Sequence, residues 1–126
     1  MGYKKITIAA MIALKLKAHG VRRMFGIPGG GSSLDLIAEC ASQGIIFQLA
    51  KREDSAVIMA AVTAELTGTP GVVLTTKGPG ISNAMNGVAY ASLDRAPVLV
   101  FTDGFSPDLQ SYVTHQVFDQ KAMLQP

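Results

Sequence analysis

Short apolar runs alternate along the sequence with longer segments in which apolar residues recur at helical spacing. The run from Val72 to Leu74 is typical of a strand buried on both faces, whereas Ile8, Ile12 and Leu16 share one side of a helix. The pattern predicts helices at residues 7–19, 32–43, 54–66, 81–93 and 117–124, and strands at residues 21–26, 45–49, 71–76 and 97–102. Residues 103–114 are predicted as a polar loop.

Strands that alternate with helices are joined by crossovers and therefore lie parallel. The expected fold is a single flavodoxin-like, three-layer α/β/α domain over residues 1–126, with a parallel sheet flanked by helices on both faces. Ligands of such sheets bind at the carboxyl ends of the strands. Candidate functional residues are therefore those that follow the predicted strands.

Composition and charge narrow the classes of partner. Hydrophobic residues make up 48% of the chain, as in globular domains, and the net charge of +2 comes from scattered basic residues, which argues against nucleic acid. The single cysteine, Cys40, has no Cys/His cluster near it, so no metal site is expected. Lys15 and Lys17 interrupt the apolar run that follows Lys4 and Lys5, so neither a membrane span nor a secretion signal is expected, and we predict a cytoplasmic protein.

A Gly-rich loop at residues 26–33 follows the first strand and could bind phosphate through its backbone amides. Gly26 and Gly31 have P-loop spacing, but Ser32 stands where the lysine is needed, and Leu34 replaces the third glycine of a dinucleotide fingerprint. Glu53, about 20 residues further on, stands where a Rossmann domain binds ribose. Two interpretations of this loop remain open: it belongs to a nucleotide-binding module, or it is a turn that only lets the strand and the helix pack.

Two further polar groups follow strands. Glu53 is predicted to close the second strand together with Lys51 and Arg52, or to lie in the first turn of the next helix, where the helix dipole favours an acidic residue. Lys-Gly-Pro-Gly-Ile-Ser-Asn at residues 77–83 is first of all a turn, and Asn83 could simply face solvent. Position alone does not separate structural from functional roles here.

Five segments together resemble, in order and spacing, the N-terminal pyrimidine-binding domain of thiamine-diphosphate-dependent enzymes such as acetolactate synthase, pyruvate oxidase and benzoylformate decarboxylase. The segments are Phe-Gly-Ile-Pro-Gly-Gly at 25–30, Lys-Arg-Glu at 51–53, Thr-Thr-Lys-Gly-Pro-Gly-Ile-Ser-Asn at 75–83, Leu-Asp-Arg-Ala-Pro-Val at 93–98 and His-Gln-Val-Phe-Asp at 115–119. Two positions depart from the family pattern: Arg52 replaces its usual histidine, and His115 stands where acetolactate synthases tend to carry an aromatic residue.

The resemblance implies thiamine diphosphate as cofactor, and an enzyme that makes or breaks a C–C bond next to a carbonyl, on a 2-oxo acid. Glu53 would be the catalytic glutamate that hydrogen-bonds N1′ of the aminopyrimidine ring and activates it. The same transfer assigns cofactor contacts to Pro28, Gly29, Pro79 and Asn83, and substrate contacts to Thr76 and Gln116. A solvent-exposed position is expected for His115.

The family signature that holds magnesium and the diphosphate, Gly-Asp-Gly followed by Asn, does not occur in this sequence. The resemblance therefore implies a partner, a diphosphate-binding domain or subunit that would supply Mg²⁺, within a homo-oligomer. We expect the chain to be an N-terminal fragment or small subunit, truncated before the last elements of the domain and inactive alone. A non-catalytic scaffold subunit of the same fold is the remaining alternative.

Overall fold

A computed structural model describes residues 6–110 and 112–125 of the chain. Lys4, Lys5, Ser111 and Pro126, on which some of the expectations above depend, lie outside these ranges. The helices are α1 (Ile8–Ala18), α2 (Ser32–Ser42), α3 (Glu53–Thr67), α4 (Pro79–Leu93), α5 (Pro107–Gln110) and α6 (Gln120–Met123), and the strands are β1 (Arg23–Ile27), β2 (Ile46–Leu49), β3 (Gly71–Thr75) and β4 (Val98–Thr102). No described helix has the length and apolar character needed to cross a membrane.

The four strands form one parallel sheet in the order β2-β1-β3-β4, as the alternation of helices and strands predicts. Phe25 of β1 lies opposite Val73 of β3, which in turn lies opposite Val100 of β4. The chain leaves β1 in one direction to build β2 and then returns to build β3 on the other side. Sheets of this kind have a ligand-binding crevice where the strand order reverses, here at the carboxyl ends of β1 and β3.

Helices cover both faces of the sheet, as expected. Val72 and Leu74 of β3 pack with residues of α1 and α2, whereas Val73 packs with residues of α3 and α4. These three side chains are at most 2% exposed, so β3 is buried on both faces. Close packing of α3 depends on small residues, because a β carbon at Gly71 would overlap the backbone of Ala60.

The structure decides between the two positions predicted for Glu53 and corrects two element boundaries. Strand β2 ends at Leu49, as predicted, and Glu53 lies in the first turn of α3. The last helix, α6, contains only four residues, because the Asp119 side chain accepts a hydrogen bond from Ala122 N at 2.8 Å and starts the helix there. The predicted polar loop contains a short helix, α5, which begins at Pro107, a residue whose fixed φ favours a first helical position.

Candidate functional site

Glu53 and Asn83 meet where α3 and α4 begin. Glu53 is the first residue of α3, Asn83 lies one turn into α4, and the Asn83 Nδ2 donates a hydrogen bond to Glu53 Oε2. The two helices come this close because Gly87 of α4 has no side chain: a β carbon there would lie 2.6 Å from Cβ of Val57. Helix packing thus brings together two polar residues that are 30 positions apart in the sequence.

The second carboxylate oxygen of Glu53 faces the turn that precedes α4. A β carbon at Gly80 would lie 3.7 Å from Glu53 Oε1 and 2.7 Å from Cγ2 of Thr76. Gly80 is buried, and the absence of a side chain lets its backbone lie close to both groups. Gly78 is required for a different reason, since its φ of +69° and the nearby backbone of Gln116 both exclude a side chain.

Gly29 approaches Thr76 from the opposite direction. It follows β1, and a β carbon at Gly29 would lie 2.5 Å from Thr76 Oγ1 and 2.9 Å from Asp103 Oδ2. Pro28, Gly29 and Thr76 are half-buried. The structure therefore places Thr76 between Gly29 and Gly80, with the Glu53 carboxylate beside Gly80.

Asp103 is the polar residue that the sequence reasoning missed. It follows β4 directly, is 9% exposed, and accepts hydrogen bonds from the hydroxyl groups of both Ser32 and Ser33. Neither serine caps α2, because Gly31 is the N-cap and the serines are the first two helical residues. The rule that polar residues after parallel strands gather at one edge of the sheet could have identified Asp103.

Two glutamines lie near the turn at Gly78. Gln116, the predicted substrate contact, has a φ of +60° and packs its backbone and Cβ against Gly78. Gln120, which the sequence reasoning did not single out, accepts a hydrogen bond from Gly78 N at 3.4 Å and donates one to the Asp103 carbonyl at 3.3 Å. His115 is exposed, as expected.

Arg52 and Lys77 are both engaged away from Glu53. Arg52, which replaces the histidine of the family pattern, forms two 3.0 Å hydrogen bonds with Asp54, and this pairing lowers the pKa of the Asp54 carboxyl below its ordinary value. Lys77 Nζ lies 4.6 Å from the centroid of the Phe105 ring, within range of a cation–π interaction. Neither cation forms an ion pair with Glu53 in the described part of the chain.

Glu53 and Asn83 lie on an open side of the domain. Asn83 is exposed, Pro79 is exposed, and Glu53 is half-buried. A cavity of about 660 Å³ lies elsewhere, between α1, α2 and β4, and its lining includes Ser33 and Asp103 but not Glu53. Within residues 6–110 and 112–125, no cluster of His, Cys, Asp or Glu side chains could hold a metal ion. Because Asn83 and Pro79 are exposed and Glu53 is only half-buried, the carboxylate of Glu53 is accessible from outside this chain.

Comparison with known proteins assigns the domain. Residues 6–123 match the family described as thiamine pyrophosphate enzyme, N-terminal TPP binding domain. The chain is 40% identical over 115 residues to 2-hydroxyacyl-CoA lyase 2 of Bos taurus, which covers 91% of this chain and 18% of the relative. It is 38% identical over 119 residues to the acetolactate synthase isozyme 3 large subunit of Escherichia coli, covering 94% of this chain and 21% of that subunit. Because the family match extends over nearly the whole chain, this protein belongs to the family of N-terminal TPP-binding domains of thiamine pyrophosphate enzymes.

Proposed function

We propose that the chain binds the aminopyrimidine ring of thiamine diphosphate and that Glu53 exchanges a proton with ring atom N1′. When bound, this cofactor supplies the carbanion chemistry by which an enzyme makes or breaks a C–C bond next to a carbonyl group. We further propose that the whole enzyme acts on a 2-oxo acid. The names of the two relatives, a 2-hydroxyacyl-CoA lyase and an acetolactate synthase, are consistent with such C–C bond chemistry.

The proposal rests on one observation: Asn83 holds Oε2 of the Glu53 carboxylate, whose other oxygen, Oε1, lies beside Gly80 on the open side of the domain. A carboxylate oxygen fixed in this way can accept a hydrogen bond from a ring N–H or, once protonated, donate one to a ring nitrogen. Glycines at positions 29 and 80 let the backbone pack close to Thr76, since a β carbon at either position would lie within 2.7 Å of its side chain. The oriented carboxylate of Glu53 is the group that fits N1′ of an aminopyrimidine.

In this proposal, six further residues line the ring site, orient Glu53 or contact the substrate. Pro28, Gly29 and Pro79 line the ring site, and Asn83 positions the Glu53 carboxylate. Thr76, half-buried between Gly29 and Gly80, is proposed as a substrate contact. Gln116, whose backbone packs against Gly78, is proposed as a second one.

A nucleotide-binding role is disfavoured by the charge at the start of α2. A phosphate bound by a Gly-rich loop lies against free backbone amides at a helix N-terminus. Here the Asp103 carboxylate occupies that end of α2, bonded to Ser32 and Ser33. Placing a phosphate beside it would bring like charges together in a partly buried site, which is unfavourable.

The proposal requires a second component. Glu53 and Asn83 lie on the open side of the domain, where a diphosphate-binding domain or subunit could cover the ring and supply Mg²⁺ for the diphosphate. We propose that this component lies in the same homo-oligomeric enzyme and that the enzyme acts in the cytoplasm, where the free thiol of Cys40 remains reduced.

Proton exchange at C2 of the thiazolium ring tests the role of Glu53 directly. In the protein assembled with its diphosphate-binding domain or subunit, we expect Glu53→Gln to slow hydrogen–deuterium exchange at C2 by about a hundredfold or more, because the amide cannot transfer the proton. Asp54→Asn removes the neighbouring carboxylate, which pairs with Arg52, and is the matched control that should leave the rate within about threefold. An unchanged rate in Glu53→Gln would overturn the proposal and favour a scaffold role.

A further inference from the structure

We propose that Asp103 is a positioning residue for cofactor binding: by accepting hydrogen bonds from Ser32 and Ser33 it fixes the Gly-rich loop, residues 28–31, against Thr76. The inference rests on the proposed function, because it assigns to this loop the contact with the aminopyrimidine ring. It adds a residue that lies outside the ring site and acts through the loop.

The first reason is the bonding of the Asp103 side chain. Its two carboxylate oxygens each accept a hydrogen bond from a different serine, Oδ1 from Ser32 and Oδ2 from Ser33. Ser33 is 1% exposed and Asp103 is 9% exposed, so the contact with Ser33 is buried, where losing a partner of a charged group is costly. Asp103 therefore ties the start of α2 to the end of β4.

The second reason is that α2 has no side-chain cap of its own. Its N-cap residue, Gly31, has a φ of +58° and no side chain that could accept from the first turn. The negative charge of Asp103 lies at the positive end of the helix dipole, which favours it there. A residue that follows β4 thus provides a favourable charge at the start of α2, through the hydroxyl groups of Ser32 and Ser33.

The third reason is direct contact with the loop. Oδ2 of Asp103, the oxygen that binds Ser33, would lie 2.9 Å from a β carbon at Gly29. Beyond Gly29 the loop has little packing, since β carbons at Gly30 and Gly31 would meet no atom within 4 Å. Consecutive glycines have large conformational freedom, so the loop depends on its two ends for a defined position.

The Asp103 backbone is itself anchored to the turn that opens α4. Its carbonyl accepts from Gln120 Nε2 at 3.3 Å, and Gln120 Oε1 accepts from Gly78 N at 3.4 Å. Asp103 consequently connects the loop after β1 with the turn after β3. A shift of its carboxylate would change the contact between Gly29 and Thr76, two residues that the proposed function places at the bound cofactor and substrate.

The test measures cofactor affinity in the full-length protein with Mg²⁺, by titration calorimetry. We expect Asp103→Ala to raise the dissociation constant for thiamine diphosphate by about tenfold. Without the carboxylate, the loop conformation that binds the cofactor is populated only in a minority of molecules. Asp103→Asn retains an accepting oxygen and adds an amide that can donate to a serine oxygen, so it should remain within about threefold of the wild type. Ser33→Ala should fall between the two.

A second variant distinguishes the positioning role of Asp103 from a general loss of stability. Leu36→Ala, at a position of α2 that is 6% exposed, should lower the unfolding midpoint by leaving a cavity and should leave the affinity of the folded protein unchanged. Unchanged affinity in folded Asp103→Ala, or an equal loss in Leu36→Ala, would overturn the inference alone. Absence of thiamine diphosphate binding by the wild type would overturn the proposed function as well.

Discussion

Asn83 donates its side-chain amide hydrogen to Glu53 across the first turns of two packed helices, so one residue of α4 sets the orientation of a carboxylate on α3. A carboxylate fixed by such a bond has lost rotational freedom before any ligand arrives, which favours catalysis by positioned groups. The orientation of Glu53 is therefore a property of this chain alone.

We predict that Asn83→Ala slows C2 proton exchange of bound thiamine diphosphate by about tenfold, because Glu53 then samples other rotamers. The measurement is deuterium incorporation followed by NMR in the full-length protein. Asn86→Ala removes an exposed amide one turn further along α4 and is the matched control, expected to leave the rate unchanged. A rate in Asn83→Ala equal to that of the control would show that the bond does not orient Glu53.

Thr75 offers a test of packing next to the site. It is fully buried at the end of β3, and its hydroxyl oxygen has no hydrogen-bond partner among the described residues. A buried hydroxyl without a partner is destabilising, so Thr75→Val should raise the free energy of unfolding by about 1 kcal/mol. Thermal unfolding midpoints measure the change.

Thr75→Ser is the informative comparison for that prediction. Serine keeps the hydroxyl group and lacks a buried methyl group, so we expect Thr75→Ser to lower the free energy of unfolding by about 1 kcal/mol. A lower unfolding midpoint for Thr75→Val would mean that the hydroxyl has a partner, such as a bound water molecule, in solution.

The buried thiol of Cys40 makes the free energy of unfolding depend on pH in the alkaline range. Burial, with a smaller contribution from Glu39, raises the pKa of the Cys40 thiol from 9.0 to about 11 in the folded chain. Because the folded-state pKa is raised, the contribution of the neutral thiol is fully present below about pH 9 and is lost as the pH rises toward 11. The unfolding midpoint of the wild type should therefore fall relative to that of Cys40→Ala as the pH rises from about 9 to 11. Below about pH 9 the difference between the two midpoints should stay constant.

The same burial should make the thiol unreactive. We expect iodoacetamide to modify Cys40 slowly in the native protein at pH 8 and rapidly in denaturant, because the thiolate is the reacting species. Mass spectrometry after timed quenching gives both rates. Equal rates in the two conditions would contradict the buried position of Cys40.

The sheet could be predicted because its signals are local. The unbroken apolar run at Val72 to Leu74 is what a strand buried on both faces requires, and glycines such as Gly44 and Gly68 mark the ends of helices with positive φ. The position of Glu53 could not be decided from the sequence because an acidic residue is compatible both with the end of a strand and with the first turn of a helix. Only the packing of α3 on the sheet decides between them.

The contacts within the site could not be predicted from local pattern. Ser32 and Ser33 precede an apolar helical segment and therefore look like caps, but their hydroxyl groups bind a carboxylate 70 or more positions away. The bond between Asn83 and Glu53 likewise depends on the close approach of α3 and α4, which Gly87 permits. Such pairs follow from topology and helix spacing, which a single sequence specifies only through the completed fold.

The strand order has a consequence for how the site comes into being. Gly29 follows β1 and Thr76 follows β3, and these strands are neighbours although α2, β2 and α3 separate them along the chain. Their approach closes a long loop, an entropic cost that must be met before the contacts of the sheet compensate for it. The Gly-rich loop and Thr76 therefore lie together only once β1 and β3 have paired, and an excised β1–α2–β2 unit would carry Gly29 without Thr76 and Glu53.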